Sequence, residues 1–205
     1  MFSNSLGTAV NNAISQVVDN FQANPERFWN ERDIHWSLFY YLKNQQVIKE
    51  AYPTELIRAE FPTLKVFPGN KPTRGHYDLV IINAVSNNNP EVQNMKAQAS
   101  WDDYLKLIQI DVAIEIKIWQ ARINEKDAHE LMDWDIKKLT DLPNNIQNAY
   151  FLNFVQLNFT SKYMMDYYSK MRGYLSSTKM KQLNLKISCV PSDRQVQPDP
   201  KDNWL

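Results

Sequence analysis

The sequence predicts an α/β fold built as a single domain, and three observations carry that reading. Apolar residues recur at helical spacing as far as residue 46, and short apolar runs with strand composition follow. The strongest run is VAIEIKIW, from Val112 to Trp119, after which helical and strand-like segments alternate to about residue 190.

In chain order, Ser5 to Gln22 places Leu6, Ala9, Val10, Ala13, Ile14, Val17, Val18 and Phe21 on one helical stripe. A second helix is expected from Pro25, a residue suited to a first turn, to Gln46. Strands are expected at Thr54 to Phe61 and His76 to Asn83, joined by the connection FPGNKPTRG. Residues Ala84 to Ser100 are Asn-rich and aperiodic, which predicts a long polar surface insertion. Gln109 to Gln120 is the third strand, and Asn124 caps a helix to Thr140 with Ala128, Leu131, Met132, Asp135 and Leu139 facing inward. A strand over Asn148 to Asn158, an aromatic helix from Ser161 to Tyr174 and a strand from Leu183 to Val190 complete the order α, α, β, β, β, α, β, α, β. Residues 1–190 form the domain, and the polar stretch 191–205, with three prolines, is a tail outside the core.

Composition bounds the function. The chain of 205 residues is long enough for one sizeable core, and its 43% hydrophobic content is that of a globular protein. No apolar run reaches membrane-spanning length, and the N-terminus lacks the pattern of a signal peptide. The only cysteine, Cys189, excludes an internal disulfide framework. A soluble cytoplasmic protein is the expectation. Equal numbers of basic and acidic residues, 23 each, leave any polyanion contact to local charge. The chain has no Walker loop, dinucleotide fingerprint, nucleophile elbow or Cys-rich metal motif, and its histidines lack the spacing of a transition-metal site.

The residues that call for chemistry are charged ones in apolar settings. Strand alternation puts Val112, Ile114, Ile116 and Ile118 on one face, and Asp111, Ala113, Glu115 and Lys117 on the other. A carboxylate and an amine inside so hydrophobic a strand need partners; an exposed strand with a surface ion pair is the plainer explanation. Glu31 falls in the middle of a stripe formed by Phe28, Ile34, Leu38 and Leu42, all within about 60 degrees of it. A first-turn glutamate favoured by the helix dipole explains the same placement. Asp78 opens the second strand, and neighbouring strands bring it beside Glu115 with Lys117 close by. Two convergent carboxylates with a backbone carbonyl, such as that of Ile116, are oxygen donors suited to Mg²⁺ or Mn²⁺.

Glu31, then GHYDLVI with Asp78, then VAIEIK with Glu115 and Lys117, resembles the PD-(D/E)XK nuclease superfamily. The resemblance covers residues 25–158 and implies a restriction-endonuclease-like αβββαβ core, a central mixed sheet flanked by helices, here with an extra N-terminal helix. It implies Asp78 and Glu115 as metal ligands, Lys117 as the catalytic lysine and Glu31 as an accessory acid or ligand. Tyr77 replaces the usual proline. The helix after the E-x-K strand often adds a polar residue to such sites. Asp135 and Lys138 fit that role, although a helix-surface ion pair accounts for them equally. His35, one turn after Glu31, is accessory or core.

The implied activity is metal-dependent hydrolysis of phosphodiester bonds, with double-stranded DNA the expected partner and a homodimer the expected means of cutting both strands. Between Thr160 and Lys186 six basic residues, among them Lys162, Lys170 and Arg172, meet one acidic residue amid tyrosines, a composition suited to nucleic acid. Arg58, Arg74 and Arg122 are further phosphate-contact candidates. A catalytically silent member of the same fold, acting as a binding or assembly subunit, is the alternative.

Overall fold

The computed structural model describes residues 2–67, 73–98, 101–119, 134–140, 145–156 and 184–192. Its centre is a five-stranded sheet, β1 (Ile57–Phe67), β2 (Thr73–Ile82), β3 (Ile110–Trp119), β4 (Ile146–Val155) and β5 (Asn184–Pro191), paired in chain order. The first three strands run antiparallel and the last two join β3 in parallel, so the sheet is mixed.

Helices cover both faces. Helix α1 (Phe2–Ala23), α2 (Glu31–Asn44) and α3 (Gln46–Ala51) pack Val10, Ile14, Ile34 and Leu38 against Leu79, Ile81, Val112, Ile114, Ile116 and Leu152. On the opposite face, Val92, Tyr104, Ile136 and Leu139 meet Val80, Ala113, Trp119 and Phe151. The alternation read from VAIEIKIW is therefore real, and both faces of β3 are buried. Among the described residues no helix is long and apolar enough to cross a membrane.

Several boundaries differ from the sequence reading. Pro25 starts only a 3-10 turn, Pro25–Arg27, and the α-helix begins after Asn30. There the Asn30 side chain accepts the Arg32 N–H while the Asp33 carboxylate accepts the Asn30 N–H, a reciprocal cap that makes Glu31 the first helical residue. Thr54–Leu56 is likewise a 3-10 turn ahead of β1. The stretch expected as a polar insertion is helical, forming α4 (Ala84–Asn87) and α5 (Pro90–Ala97), with α6 (Trp101–Leu107) after them. Asn83 and Asn89 cap the first two, which are too short to show a period and bury only Val92 between them. At the C-terminal end, Pro191 belongs to β5, and Ser192 is buried with its N–H donated to Val155, so the polar tail starts later than expected. The aromatic helix over 161–174 and most of the helix expected from Asn124 lie outside the described residues, of which 134–140 are helical.

One irregularity matters for the site. In the β1–β2 register Ala59 faces Leu79 and Phe61 faces Tyr77, which places Glu60 across from Asp78. Glu60 has φ of 50°, left-handed backbone that costs a non-glycine residue about 1 kcal/mol or more. The β2–β3 pairing also stops at Leu79 and Ile114, one step short of Asp78. Asp78 therefore sits where both ladders lapse.

Leu38 is fully buried between α2 and the sheet, whereas Asn30 contributes only a cap. Leu38→Ala is expected to lower unfolding free energy by about 2–5 kcal/mol, and Asn30→Ala by about 1 kcal/mol. Urea titration followed by circular dichroism measures both; equal losses would contradict this account of how α2 is held.

Candidate active site

The lapse at Asp78 frees its carboxylate to act as a backbone surrogate. Asp78 Oδ2 accepts the N–H of Ile116 at 2.6 Å, so the side chain replaces the missing ladder bond and reaches the segment holding Glu115 and Lys117. Burial raises the Asp78 pKa against the opposing pull of Lys117 and of that N–H.

Glu115 has 0% exposure, which excludes the surface-pair explanation for this strand. Lys138 Nζ lies 2.8 Å from Glu115 Oε2 and 2.7 Å from Asp135 Oδ1. The same ammonium donates to the His76 carbonyl at 3.1 Å, and the Tyr77 hydroxyl donates to the Lys138 carbonyl at 3.2 Å. The 134–140 helix is thereby tied to the start of β2 at both ends of one residue. Desolvation, with Asp78 adding to it, holds the Glu115 carboxyl well above the usual range despite Lys138. Glu115 Oε1 is buried with no hydrogen-bond partner.

Lys117 completes the cluster from the next inward-facing position of β3. Its Nζ is 3.3 Å from Glu31 Oε1 and 3.1 Å from Asp135 Oδ2. Burial pulls its pKa down, but Asp135, Glu31, Asp78 and Glu115 outweigh this and raise it. Lys138 is raised in the same way by Glu115 and Asp135. Burial also raises Glu31, whose side chain is 44% exposed and forms the open side of the cluster. It is thus a first-turn glutamate and also a member of the charge cluster.

Four carboxylates thus converge on two ammonium groups, leaving an excess of two negative charges when all are ionised. The excess, the raised carboxyls and the orphaned Glu115 Oε1 fit a divalent cation held by Asp78, Glu115 and a backbone carbonyl such as that of Ile116. Water would have to supply the remaining ligands, since no group of three or more His, Cys, Asp or Glu side chains is arranged to hold a metal among the described residues.

Of the other expected site residues, Asp135, which is buried, and Lys138, which is partly buried, are brought into the cluster and do not form a surface pair. His35 stacks on Trp36 with centroids 6.3 Å apart, and its Nε2 is buried without a partner. Arg58 faces Val80 and lines a separate cavity of about 230 Å³ with Trp101 and Tyr104. Arg74 lies on β2, and Arg122, Lys162, Lys170 and Arg172 fall outside the described residues. The sequence reading missed the His76 carbonyl and the Tyr77 hydroxyl as anchors of Lys138; the tyrosine in place of a proline was the available signal.

The charge on Glu115 sets a pH dependence. A carboxyl raised in the folded state contributes stability that is complete below its unfolded pKa and is lost as pH rises through the folded value. In EDTA, the parent's unfolding free energy is therefore expected to fall relative to that of Glu115→Gln between about pH 4.5 and neutrality. Parallel urea midpoints for the two proteins across that range would show that Glu115 carries no such penalty.

Comparison of the chain with protein-family models, curated proteins and solved structures gave no match.

Proposed function

We propose that the protein is a metal-dependent nuclease of the PD-(D/E)XK kind that hydrolyses phosphodiester bonds, with DNA as the leading substrate. The observation that carries this reading is the convergence of Asp78, Glu115 and Lys117 with Glu31 at one end of β3, with a buried Glu115 oxygen left unpartnered. The mixed sheet, with three antiparallel strands followed by parallel ones, is compatible with a restriction-endonuclease-like core.

In this reading Asp78 and Glu115 hold Mg²⁺ or Mn²⁺ together with the Ile116 carbonyl. Such an ion supplies a Lewis acid for a phosphoryl oxygen and a water of lowered pKa. Lys117 stays protonated among its carboxylates, so it serves as a donor that orients the attacking water and stabilises charge developing on phosphorus. It is not a general base. Glu31, half exposed at the mouth, accepts from Lys117 and aims it. Lys138 neutralises one Glu115 oxygen and leaves the other to the cation.

The test is cleavage of plasmid, linear duplex and single strands with Mg²⁺, Mn²⁺ or EDTA, alongside calorimetric titration of the metal. Asp78→Ala and Glu115→Ala are expected to lose metal binding and cleavage together. Lys117→Ala should keep metal binding while the rate falls by about two to four orders of magnitude, roughly 3–5 kcal/mol of barrier. Glu31→Gln should fall between them. A parent that binds no divalent ion in the presence of DNA, or variants that cut at the parent's rate, would overturn the proposal.

A further inference from the structure

The outward face of α2 has a composition that the hydrolytic cluster does not use. Trp36 is 65% exposed and Tyr40 64% exposed, and Trp29, just ahead of the helix, is 77% exposed. Single exposed aromatics are ordinary, but Trp36 and Tyr40 stand one turn apart on the same helix and form an exposed apolar pair. Arg32, Trp36, Tyr40 and Lys43 fall within an arc of about 80 degrees around the helix, so cation, ring, ring and cation follow along a single stripe. The two acids of the helix are committed elsewhere. Glu31 pairs with Lys117, and the Asp33 carboxylate accepts the N–H groups of Trp29 and Asn30.

The spacing decides between kinds of polyanion. Trp36 and Tyr40 are about 6 Å apart along the helix axis, against about 3.4 Å between successive bases of one duplex strand. Bases paired inside a duplex cannot reach two rings so placed; unstacked bases of an extended strand can, with their phosphates beside Arg32 and beside Lys43, whose ammonium lies 5.2 Å from the Phe39 ring centroid and keeps its outer side for an anion. The stripe also begins where the cluster ends. Glu31 turns inward to Lys117 and the next residue, Arg32, is exposed on the outer face, so a strand crossing the helix start passes from one to the other.

We infer that the Arg32–Trp36–Tyr40–Lys43 face of α2 is a stacking platform for a single-stranded segment of nucleic acid leading to the cluster at Glu31. This rests on the nuclease reading for the identity of the strand and deepens it: the substrate carries unpaired nucleotides beside the cleaved bond.

The experiment is fluorescence anisotropy of a labelled oligothymidylate with the full chain in EDTA, where nothing is cut. Trp36→Ala and Tyr40→Ala are each expected to weaken binding roughly tenfold or more, whereas Trp36→Phe retains most of it. An abasic strand of equal length should bind the parent about as weakly as oligothymidylate binds Trp36→Ala. Arg32→Ala should flatten the salt dependence with both strands. Circular dichroism checks that these surface variants fold. Equal binding of the abasic strand, or unchanged affinity in both alanine variants, would overturn the platform while leaving duplex cleavage by the parent to stand. So would sedimentation showing a dimer that Trp36→Ala dissociates, since the stripe would then be an interface between copies. Stripe-dependent binding by a chain that cuts nothing with Mg²⁺ or Mn²⁺ would support the platform and count against hydrolysis alone.

Discussion

A carboxylate with no exposed surface, on a strand buried on both faces, has to be matched by positive charge, and the surroundings of Glu115 follow from that requirement. An unpaired buried charge costs several kcal/mol, a large share of a domain's net stability. Lys138 meets the need, and to do so the 134–140 helix must lie against the start of β2, where the His76 carbonyl and the Tyr77 hydroxyl grip the same residue. Asp135, one turn earlier, then faces Lys117, and Lys117 reaches across to Glu31 on α2. One buried charge thus links the helices of both layers through the sheet.

Asp111 shows what the same strand does with a carboxylate that is only structural. It is buried too, yet both its oxygens accept from neutral donors, the Tyr52 hydroxyl at 2.7 Å and the Asn83 amide at 3.0 and 3.1 Å. That arrangement ties the end of α3 and the cap of α4 to the start of β3 and leaves no oxygen over. Glu115 differs: it has ammonium on one oxygen and no hydrogen-bond partner on the other. The distinction between scaffold and site lies in how each acid is satisfied, since burial is common to both.

What could be read beforehand follows the physics of each element. Helix α1 and strand β3 carry unbroken periods over many residues, so the α1 stripe, all buried but for a partly covered Val18, and the apolar face of β3 were legible; burial of the β3 face bearing Glu115 was not. Helices α4 and α5 were not, because elements of four and eight residues with one buried side chain leave no period to detect, only their asparagine caps. The start of α2 was misplaced because proline is a permissive signal, whereas the Asn30–Asp33 cap is what halts fraying. Within the site, Glu31, Asp78, Glu115 and Lys117 stood out as charges against apolar pattern. The direct grip of Lys138 on Glu115 was not visible, since a lysine three residues after an aspartate reads as a helix-surface pair until the sheet is in place.

The separations within the cluster carry a consequence for how the chain folds. Glu31 and Lys117 are 86 residues apart, and Ile116 and Asp78 are 38 apart. Strands β1 and β2 join locally, but β4 pairs in parallel with β3 only after the chain has crossed back from Trp119 to Ile146, a closure whose entropy is lost before its contacts form. The charges of the cluster therefore stay hydrated until the sheet is nearly complete, and their desolvation belongs to the last steps of assembly. Interactions made that late act as a latch: they govern how fast the finished protein opens far more than how fast it forms.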